Sequence, residues 1–538
     1  MKVIILGLDG MTNRVVAPYV RAGHMPNLKK IIETGTSGDL KTTIPPVTGP
    51  GWTSLATGKN PGKHGVFDFR GRNGYETELV TKNTSFSAEP IWDIISRKNK
   101  RVVVADIPFT YPPDPVNGTM ISGMMTPDIN ADFVYPPSFK KKLLSLVPDY
   151  KIDVDSSRHI LSGNRDALLE EIFTLTKDRR KIINYFLKEK QWDFYFHVLV
   201  GTDRLQHVFW DEIMDMTPIC VDYYRLVDDI LGDVLLNMDE QTVLFLVSDH
   251  GFMSSRKSFY INSFLKENGF LSMRGGNEQG KNKILHSLLK SKIVCRAVEQ
   301  FGVERLKSII PASLKRSLKK ILPGGSLMAS EIDWEKTTAF AMFGYGMVFI
   351  NLKGREPQGV VVEEQYDAFC LELETALMEQ RDPETGKRIV SEVHKGREIY
   401  KKADHIDVPD LIVILKEGYS IREEVGKEVV QNHKLGNLNI SGDHDQNGFW
   451  AAFGSIIRAT KCDATVYDIM PTVLYIMGLP LLSDIDGKVL QHSLAQTFLR
   501  DNTVLFEKVT PALKDGVQLT KEERDKLTNH LKSLGYMK

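Results

Sequence analysis

The sequence predicts an α/β fold whose strands lie in a buried parallel sheet, and three observations carry that prediction. Short apolar runs of the kind that fit strands covered on both faces recur along the chain: Val3 to Leu8, Arg101 to Ala105, Gln191 to Val200, Val243 to Val247 and Asp410 to Leu415. Between them lie helical stretches, and alternation of strand and helix is what a parallel sheet with crossover helices requires. Polar residues stand just past the ends of the runs, at Asp9-Gly10, Gly201-Thr202-Asp203 and Ser248-Asp249-His250; that carboxyl edge is where open α/β sheets hold ligands. At 538 residues the chain is long enough for one large domain with insertions, or for two to four domains.

Taken in order, Val3 to Leu8 ends in Asp9, a carboxylate placed to serve a ligand or to cap the next helix. Gly23 to Gly35 reads as a turn, a helix started at Pro26 and a terminal glycine. The stretch from Thr43 to Phe69 reads as a nucleophile loop. Its paired prolines hold Val47 extended, so that Thr48-Gly49 stands where a helix begins. A hydroxyl there meets free backbone N–H groups and the positive end of a helix dipole, which suits a phosphoryl oxygen; it also suits an ordinary N-cap, and the stretch alone serves both readings. Helix Ile91 to Ile95 and the proline-rich loop Ile107 to Pro115 flank the second strand.

After Gln191 to Val200 comes Gly201-Thr202-Asp203-Arg204-Leu205-Gln206-His207. A helix starting near Thr202 places Asp203 and His207 on one face, a spacing that fits two ligands of one metal and equally a surface acid–histidine hydrogen bond. Val243 to Val247 ends in Ser248-Asp249-His250-Gly251, one oxygen and one nitrogen ligand with a glycine behind them to turn the backbone. His444 lies in the polar loop Ser441 to Gly448, before the strand Phe449 to Phe453.

The expected division is 1–270, first part of a catalytic core; 271–335, a helical insertion; 336–400, a small α+β subdomain; 401–495, the second part of the core; and 496–538, a helical tail. The insertion is basic and amphipathic from Lys281 to Lys320, which fits a lid over an anionic substrate, a peripheral membrane contact or a packed cap with its lysines in water. Lysine plus arginine equals aspartate plus glutamate, 69 against 69, which argues against a general nucleic-acid binder and leaves only local basic patches open. The four cysteines, Cys220, Cys295, Cys370 and Cys462, lack metal-finger spacing and read as reduced thiols. The N-terminal apolar run stops at Asp9, short of a signal sequence, and no run approaches about 20 residues, so a cytoplasmic location is expected.

Asp9, Asp203, His207, Asp249, His250 and His444, with the Thr48 hydroxyl, make a mixed oxygen and nitrogen set without thiolate. Such a set suits two zinc ions, or manganese as second choice. Two ions about 3.5–4 Å apart can hold the attacking and leaving oxygens of an in-line phosphoryl displacement.

With those segments quoted, and with Met25-Pro26-Asn27-Leu28, Thr57-Gly58 through His64-Gly65 and Asp468 to Gly487 beside them, the chain resembles the alkaline phosphatase superfamily. Within it the chain is similar to the type I phosphodiesterase/nucleotide pyrophosphatase group. The resemblance implies a central, mostly parallel sheet flanked by helices, a phospho-threonine intermediate on Thr48, one metal on Asp203, His207 and His444, and another on Asp9, Thr48, Asp249 and His250. Nucleotide pyrophosphatases carry an asparagine shortly after the His-Gly pair; here the stretch reads Val66-Phe67-Asp68-Phe69-Arg70, so Arg70 or Arg72 is the candidate replacement, with Gly49 as a second substrate-binding position. The expected function is metal-dependent hydrolysis of a small phosphate ester or nucleotide-like substrate, diester before monoester. A monoesterase or phosphotransferase would use the same site, and a metal-stabilised protein that docks an anionic membrane or partner is the reading from another class.

Overall fold

The structure is a computed structural model that describes residues 1–80, 88–155, 158, 159, 162–274, 329–400, 403, 407–433, 440–508 and 519–534. The basic stretch expected to form a helical insertion, with the membrane contact assigned to 281–320, lies outside the described residues.

The strands are β1 (Lys2–Leu8), β2 (Thr36–Lys41), β3 (Arg70–Asn73), β4 (Glu76–Leu79), β5 (Val102–Ile107), β6 (Gly118–Ser122), β7 (Val134–Tyr135), β8 (Phe194–Leu199), β9 (Thr242–Val247) and β10 (Gly251–Tyr260). They continue with β11 (Ala339–Ala341), β12 (Met347–Ile350), β13 (Val390–Lys395), β14 (Leu411–Leu415), β15 (Gly418–Arg422), β16 (Val430–Asn432), β17 (Gly442–Asp445), β18 (Asn447–Phe453), β19 (Thr460–Lys461) and β20 (Ala464–Thr465). The main sheet runs β19-β2-β18-β9-β1-β8-β5-β6-β7, with β20 also paired to β2. From β9 through β1, β8 and β5 to β6 every pairing is parallel, whereas β18 and β7 join antiparallel. This is the mostly parallel sheet that the resemblance implies. β1 lies inside it with Val3 to Leu8 buried, as a run without polar alternation requires.

Helices close both faces, among them Pro26–Thr34, Thr48–Thr57, Ile91–Arg97, Arg165–Glu189, Gly201–Met214, Pro218–Asn237 and Ile469–Ile476. The Met25-Pro26-Asn27-Leu28 segment has a structural purpose: the backbone N–H groups of Asn27 and Leu28, at the start of their helix, donate to the Asp228 carboxylate at 3.0 and 2.8 Å. Asp468 to Gly487 braces the far end of the nucleophile helix, where the Asp486 N–H donates to the Gly58 carbonyl at 2.8 Å.

A second hydrophobic core packs the helix Tyr366–Glu379 on an antiparallel sheet of order β11-β12-β14-β13. β14 belongs to this smaller sheet rather than to the catalytic one in which the sequence division 401–495 places it. β10 links the two cores. It starts beside β17, then pairs with β15 and β16 further along. Among the described residues no helix is long and apolar enough to cross a membrane.

Candidate metal centre

The carboxyl edge of the main sheet assembles the predicted residues. β1 ends in Asp9 and turns at Gly10, whose φ of 70° lies in the left-handed region that favours glycine. β8 runs into the helix Gly201–Met214, which carries Asp203 in its first turn and His207 one turn later. Two bonds hold that helix against β1: the Thr202 hydroxyl donates to the Asp9 carbonyl at 2.6 Å, and the Gln206 amide to the Gly10 carbonyl at 2.9 Å. β9 delivers Asp249 and His250, and His444 arrives on β17, paired opposite Phe252.

Val47, extended as its neighbouring prolines predict, caps the helix Thr48–Thr57. Thr48 is therefore the first helical residue and not the cap. Its Oγ1 lies 3.1 Å from His250 Nε2. The closeness of this helix to β9 depends on Gly51, where a Cβ would fall 2.9 Å from the Asp249 carbonyl oxygen.

The three imidazoles share one orientation. Nδ1 of His207, His250 and His444 faces the carbonyl oxygens of Gly442, Gly251 and Pro46 at 3.3, 3.1 and 3.0 Å. A carbonyl only accepts, so each Nδ1 holds the proton and each Nε2 presents a lone pair inward. His207 and His444 bring those Nε2 atoms within 3.2 Å of each other and within 3.4 Å of Asp203 Oδ1. His250 Nε2 stands 3.3 Å from Asp249 Oδ2, 3.6 Å from Asp9 Oδ1 and 4.0 Å from Asp203 Oδ1.

Each carboxylate is tethered through one oxygen and offers the other. Asp9 Oδ2 accepts from the Trp52 indole at 3.1 Å, Asp249 Oδ1 from the Gly10 N–H at 3.2 Å, and Asp203 Oδ2 from Arg204. The offered atoms, Asp9 Oδ1, Asp203 Oδ1 and Asp249 Oδ2, are buried and have no hydrogen-bond partner. Lone pairs thus converge without a donor between them, which is the chemistry of a cation site. Among the described residues two buried groups meet this description, Asp203 with His250 and His444, and Asp9 with Asp249 and His250. His207 adds its Nε2 to the first.

The titration of the bare cluster agrees. Burial, then Asp203, pushes Asp9 up to about 8. Burial, then Asp9 and Asp203, drives Asp249 well above the usual carboxylate range. Asp203 lies well below that range because His207 and Arg204 outweigh its burial. Burial and His444 hold His250 well below an ordinary histidine, whereas Asp203 raises His207 against burial. Negative charge is crowded around Asp9 and Asp249, and a cation relieves it.

His207 and His444 also line a cavity of about 140 Å³ that reaches to Tyr345, Ile421 and Arg422. Tyr345 stacks on His444 with centroids 5.4 Å apart and planes 22° from parallel. It lies in a turn, Phe343 to Gly346, whose four residues all have positive φ.

Two sequence candidates are placed differently from expectation. Arg70 lines the same cavity, but its guanidinium forms a two-point pair with Glu423 at 2.9 and 3.3 Å, with Asp68 at 3.8 Å, so it does not present a free cation to a phosphate. Glu423 also accepts from the Gly344 N–H at 2.9 Å, so Arg70 acts on the cavity through the Tyr345 turn. Arg72 lies inside the second core, paired with Glu356 at 2.6 Å and 4.1 Å from the Phe349 ring centre. Gly49 is the second residue of its helix and packs against Phe109. His64 accepts from the Val66 N–H through Nδ1, so its Nε2–H donates to Ser54 and ties the nucleophile helix to the loop after it. Trp52, Arg204 and Tyr345 were not among the sequence candidates. Trp52 was within reach, four residues after Thr48 and so on the same helix face.

A mostly parallel sheet with an oxygen and nitrogen ligand set gathered at its carboxyl edge is the arrangement that the sequence resemblance implies. The model of the type I phosphodiesterase / nucleotide pyrophosphatase family matches residues 3–446, and the chain belongs to that family. No curated protein matches it. Phosphonoacetate hydrolase from Sinorhizobium meliloti 1021, solved with phosphonoformate and with phosphonoacetate, is similar at a TM-score of 0.54 and 13% identity over 87% of this chain and 93% of that one. Human ectonucleotide pyrophosphatase / phosphodiesterase 5 gives a TM-score of 0.50 at 13% identity over 92% of this chain and 100% of that one. At such identity the likeness is one of fold.

Proposed function

We propose that the chain hydrolyses a small phosphate ester, a diester before a monoester, with Thr48 as nucleophile at a two-cation centre. The observation that carries this reading is the convergence of three unpartnered carboxylate oxygens and three inward Nε2 atoms beside the Thr48 hydroxyl. Asp203, His207 and His444 would hold one ion, and Asp9, Thr48, Asp249 and His250 the other. Zinc, favoured by the imidazoles, or manganese would supply activation of the hydroxyl and charge stabilisation at the leaving oxygen.

The chain's own groups do the rest. Thr48 Oγ1 gives up its proton to solvent and attacks phosphorus, the ester oxygen leaves with its electron pair and takes a proton from water, and a phospho-threonine forms. Water then attacks the phosphorus and loses a proton to solvent, and the P–Oγ1 bond breaks, its electron pair taking up a proton on Oγ1, so that phosphate or its monoester departs and the free threonine returns. The positive end of the dipole of the helix Thr48–Thr57 would favour the phosphoryl oxygens beside Thr48. The cavity beside His207 and His444 receives the organic part.

The test is turnover of a chromogenic phosphodiester and its matching monoester, with and without chelator. Diester turnover lost on chelation, restored by zinc or manganese and lowered about a thousandfold in Thr48→Ala is the expected result. Full metal-dependent turnover by Thr48→Ala overturns the nucleophile. A monoester preference moves the function to phosphatase or phosphotransferase at the same site.

A further inference from the structure

The tethers of the three carboxylates are not alike. Trp52 and the Gly10 N–H, which hold Asp9 and Asp249, are neutral donors. The tether of Asp203 is a cation, Arg204, buried beside a cluster that itself calls for cations. Unopposed, that charge would repel an ion held by Asp203 Oδ1. Asp153 opposes it. Arg204 Nε and Nη2 donate to Asp153 Oδ1 and Oδ2 at 3.2 and 2.7 Å, and Asp153 is 7% exposed. The chain around Asp153 is fixed in turn, because Arg179 Nη2 donates to the carbonyls of Lys151 and Ile152 at 2.7 and 3.0 Å while its Nε pairs with Asp106 at 3.0 Å.

We propose that Arg204 and Asp153 are a positioning pair for the cation site on Asp203. Arg204 holds Asp203 Oδ2, so that Oδ1 faces His207, His250 and His444. Asp153 orients the guanidinium as a fork and cancels its charge toward the ion. The inference rests on the metal-centre reading above.

A merely structural pair and a positioning pair differ in metal affinity. Zinc dissociation constants for both sites are read by competition with a chromophoric chelator, and the absorption of the cobalt-loaded protein reports ligand geometry. Asp153→Asn keeps the shape and removes one of the two carboxylates paired with Arg204, leaving its charge less well balanced beside the ion; one of the two zinc affinities is expected to fall about 10-fold or more while the other stays within twofold. Arg204→Lys keeps a charge but cannot bridge two carboxylates, and a 10- to 100-fold loss at the same site with an altered cobalt spectrum is expected. In the double variant Asp153→Asn/Arg204→Gln the guanidinium that Asp153 serves is already gone, so affinity is expected to fall no further than in Arg204→Gln alone; two independent structural roles give losses that multiply. Melting of the metal-free proteins checks folding, and if an Arg204 variant fails to fold, Asp153→Asn decides. Zinc affinities and cobalt spectra equal to wild type in folded variants overturn the positioning role. A wild-type protein that binds no zinc, cobalt or manganese overturns the metal reading and this one with it.

Discussion

Asp9→Asn is expected to raise the stability of the metal-free protein and to lower that of the metal-loaded protein. Burial, then Asp203, pushes the Asp9 carboxyl from 3.8 to about 8. Because the folded value lies above the unfolded one, its contribution is full below pH 3.8 and is lost as pH rises through 8. At pH 7.5 nearly four units of that loss have accrued, on the order of 5 kcal/mol at about 1.4 kcal/mol per unit. Part of it is shared with Asp249, which Asp9 raises in turn, so a recovery of about 2–3 kcal/mol is the working figure for the variant. With an unfolding entropy near 1.1 kcal/mol/K for a chain of 538 residues, that is a rise of about 2–3 °C in Tm. The substitution is mild in shape, since the asparagine oxygen can still accept from Trp52 and its amide takes the place of Oδ1, which faces His250 Nε2 at 3.6 Å. In zinc the sign reverses. An ion present at a thousandfold its Kd stabilises by about 4 kcal/mol, and losing a ligand forfeits up to that amount, about 4 °C. Thermal melts at pH 7.5 and pH 5, in chelator and in zinc, decide the matter. The metal-free gain should shrink at pH 5, where the wild-type carboxyl is already protonated. A lower Tm in chelator at both pH values, or a gain indifferent to pH, would refute the charge argument.

Two further substitutions probe the scaffold. Hydrogen bonds from His159 and Lys151 outweigh burial and hold Glu171 at about 2 against an ordinary 4.5, so its contribution is present above pH 4.5 and is lost as pH falls toward 2. Glu171→Gln should flatten the acid limb of a Tm–pH profile by about 1–2 kcal/mol after solvent screening, and an unchanged slope would count against the assignment. Gly51→Ala puts a Cβ 2.9 Å from the Asp249 carbonyl oxygen, and backbone on both sides cannot yield cheaply. A stability loss of about 1–3 kcal/mol by denaturant titration is expected, with a loss of turnover from the displaced Thr48; wild-type turnover would mean that the spacing of helix and strand is not critical.

Much of the fold was legible because its signals are local. The apolar run Val3 to Leu8 admits little besides a strand buried on both faces, and the prolines before Val47 set the helix start within a residue. The ligand set was legible for the same reason, since Asp9, Asp203, Asp249 and His250 sit at or just past strand ends, where topology brings them to one edge. Register between sheets was not legible. Leu411 to Leu415 has the composition of any buried strand, and only its pairing with β12 and β13 places it in the second core. Tyr345 gave no signal, because a tyrosine among glycines reads as a turn until the fold lays it on His444.

The arginines mark the boundary most sharply. Sequence puts Arg70 and Arg72 close after the nucleophile helix, which suggests free cations near a phosphate. A buried guanidinium must nevertheless be paired, and its partner can come from anywhere in the chain. Arg70 finds Glu423, 353 residues on, and Arg72 finds Glu356, 284 residues on. The same constraint makes Arg204 informative. Its motif neighbours Asp203 and His207 read as ligands, while the sequence assigns the arginine beside Asp203 no role. Once buried, it had to be matched twice, by Asp203 and by Asp153 from a loop 51 residues earlier. A cation that must be neutralised and a carboxylate that must be aimed are served by one guanidinium fork, which pairs with Asp203 Oδ2 and leaves Oδ1 facing His207 and His444.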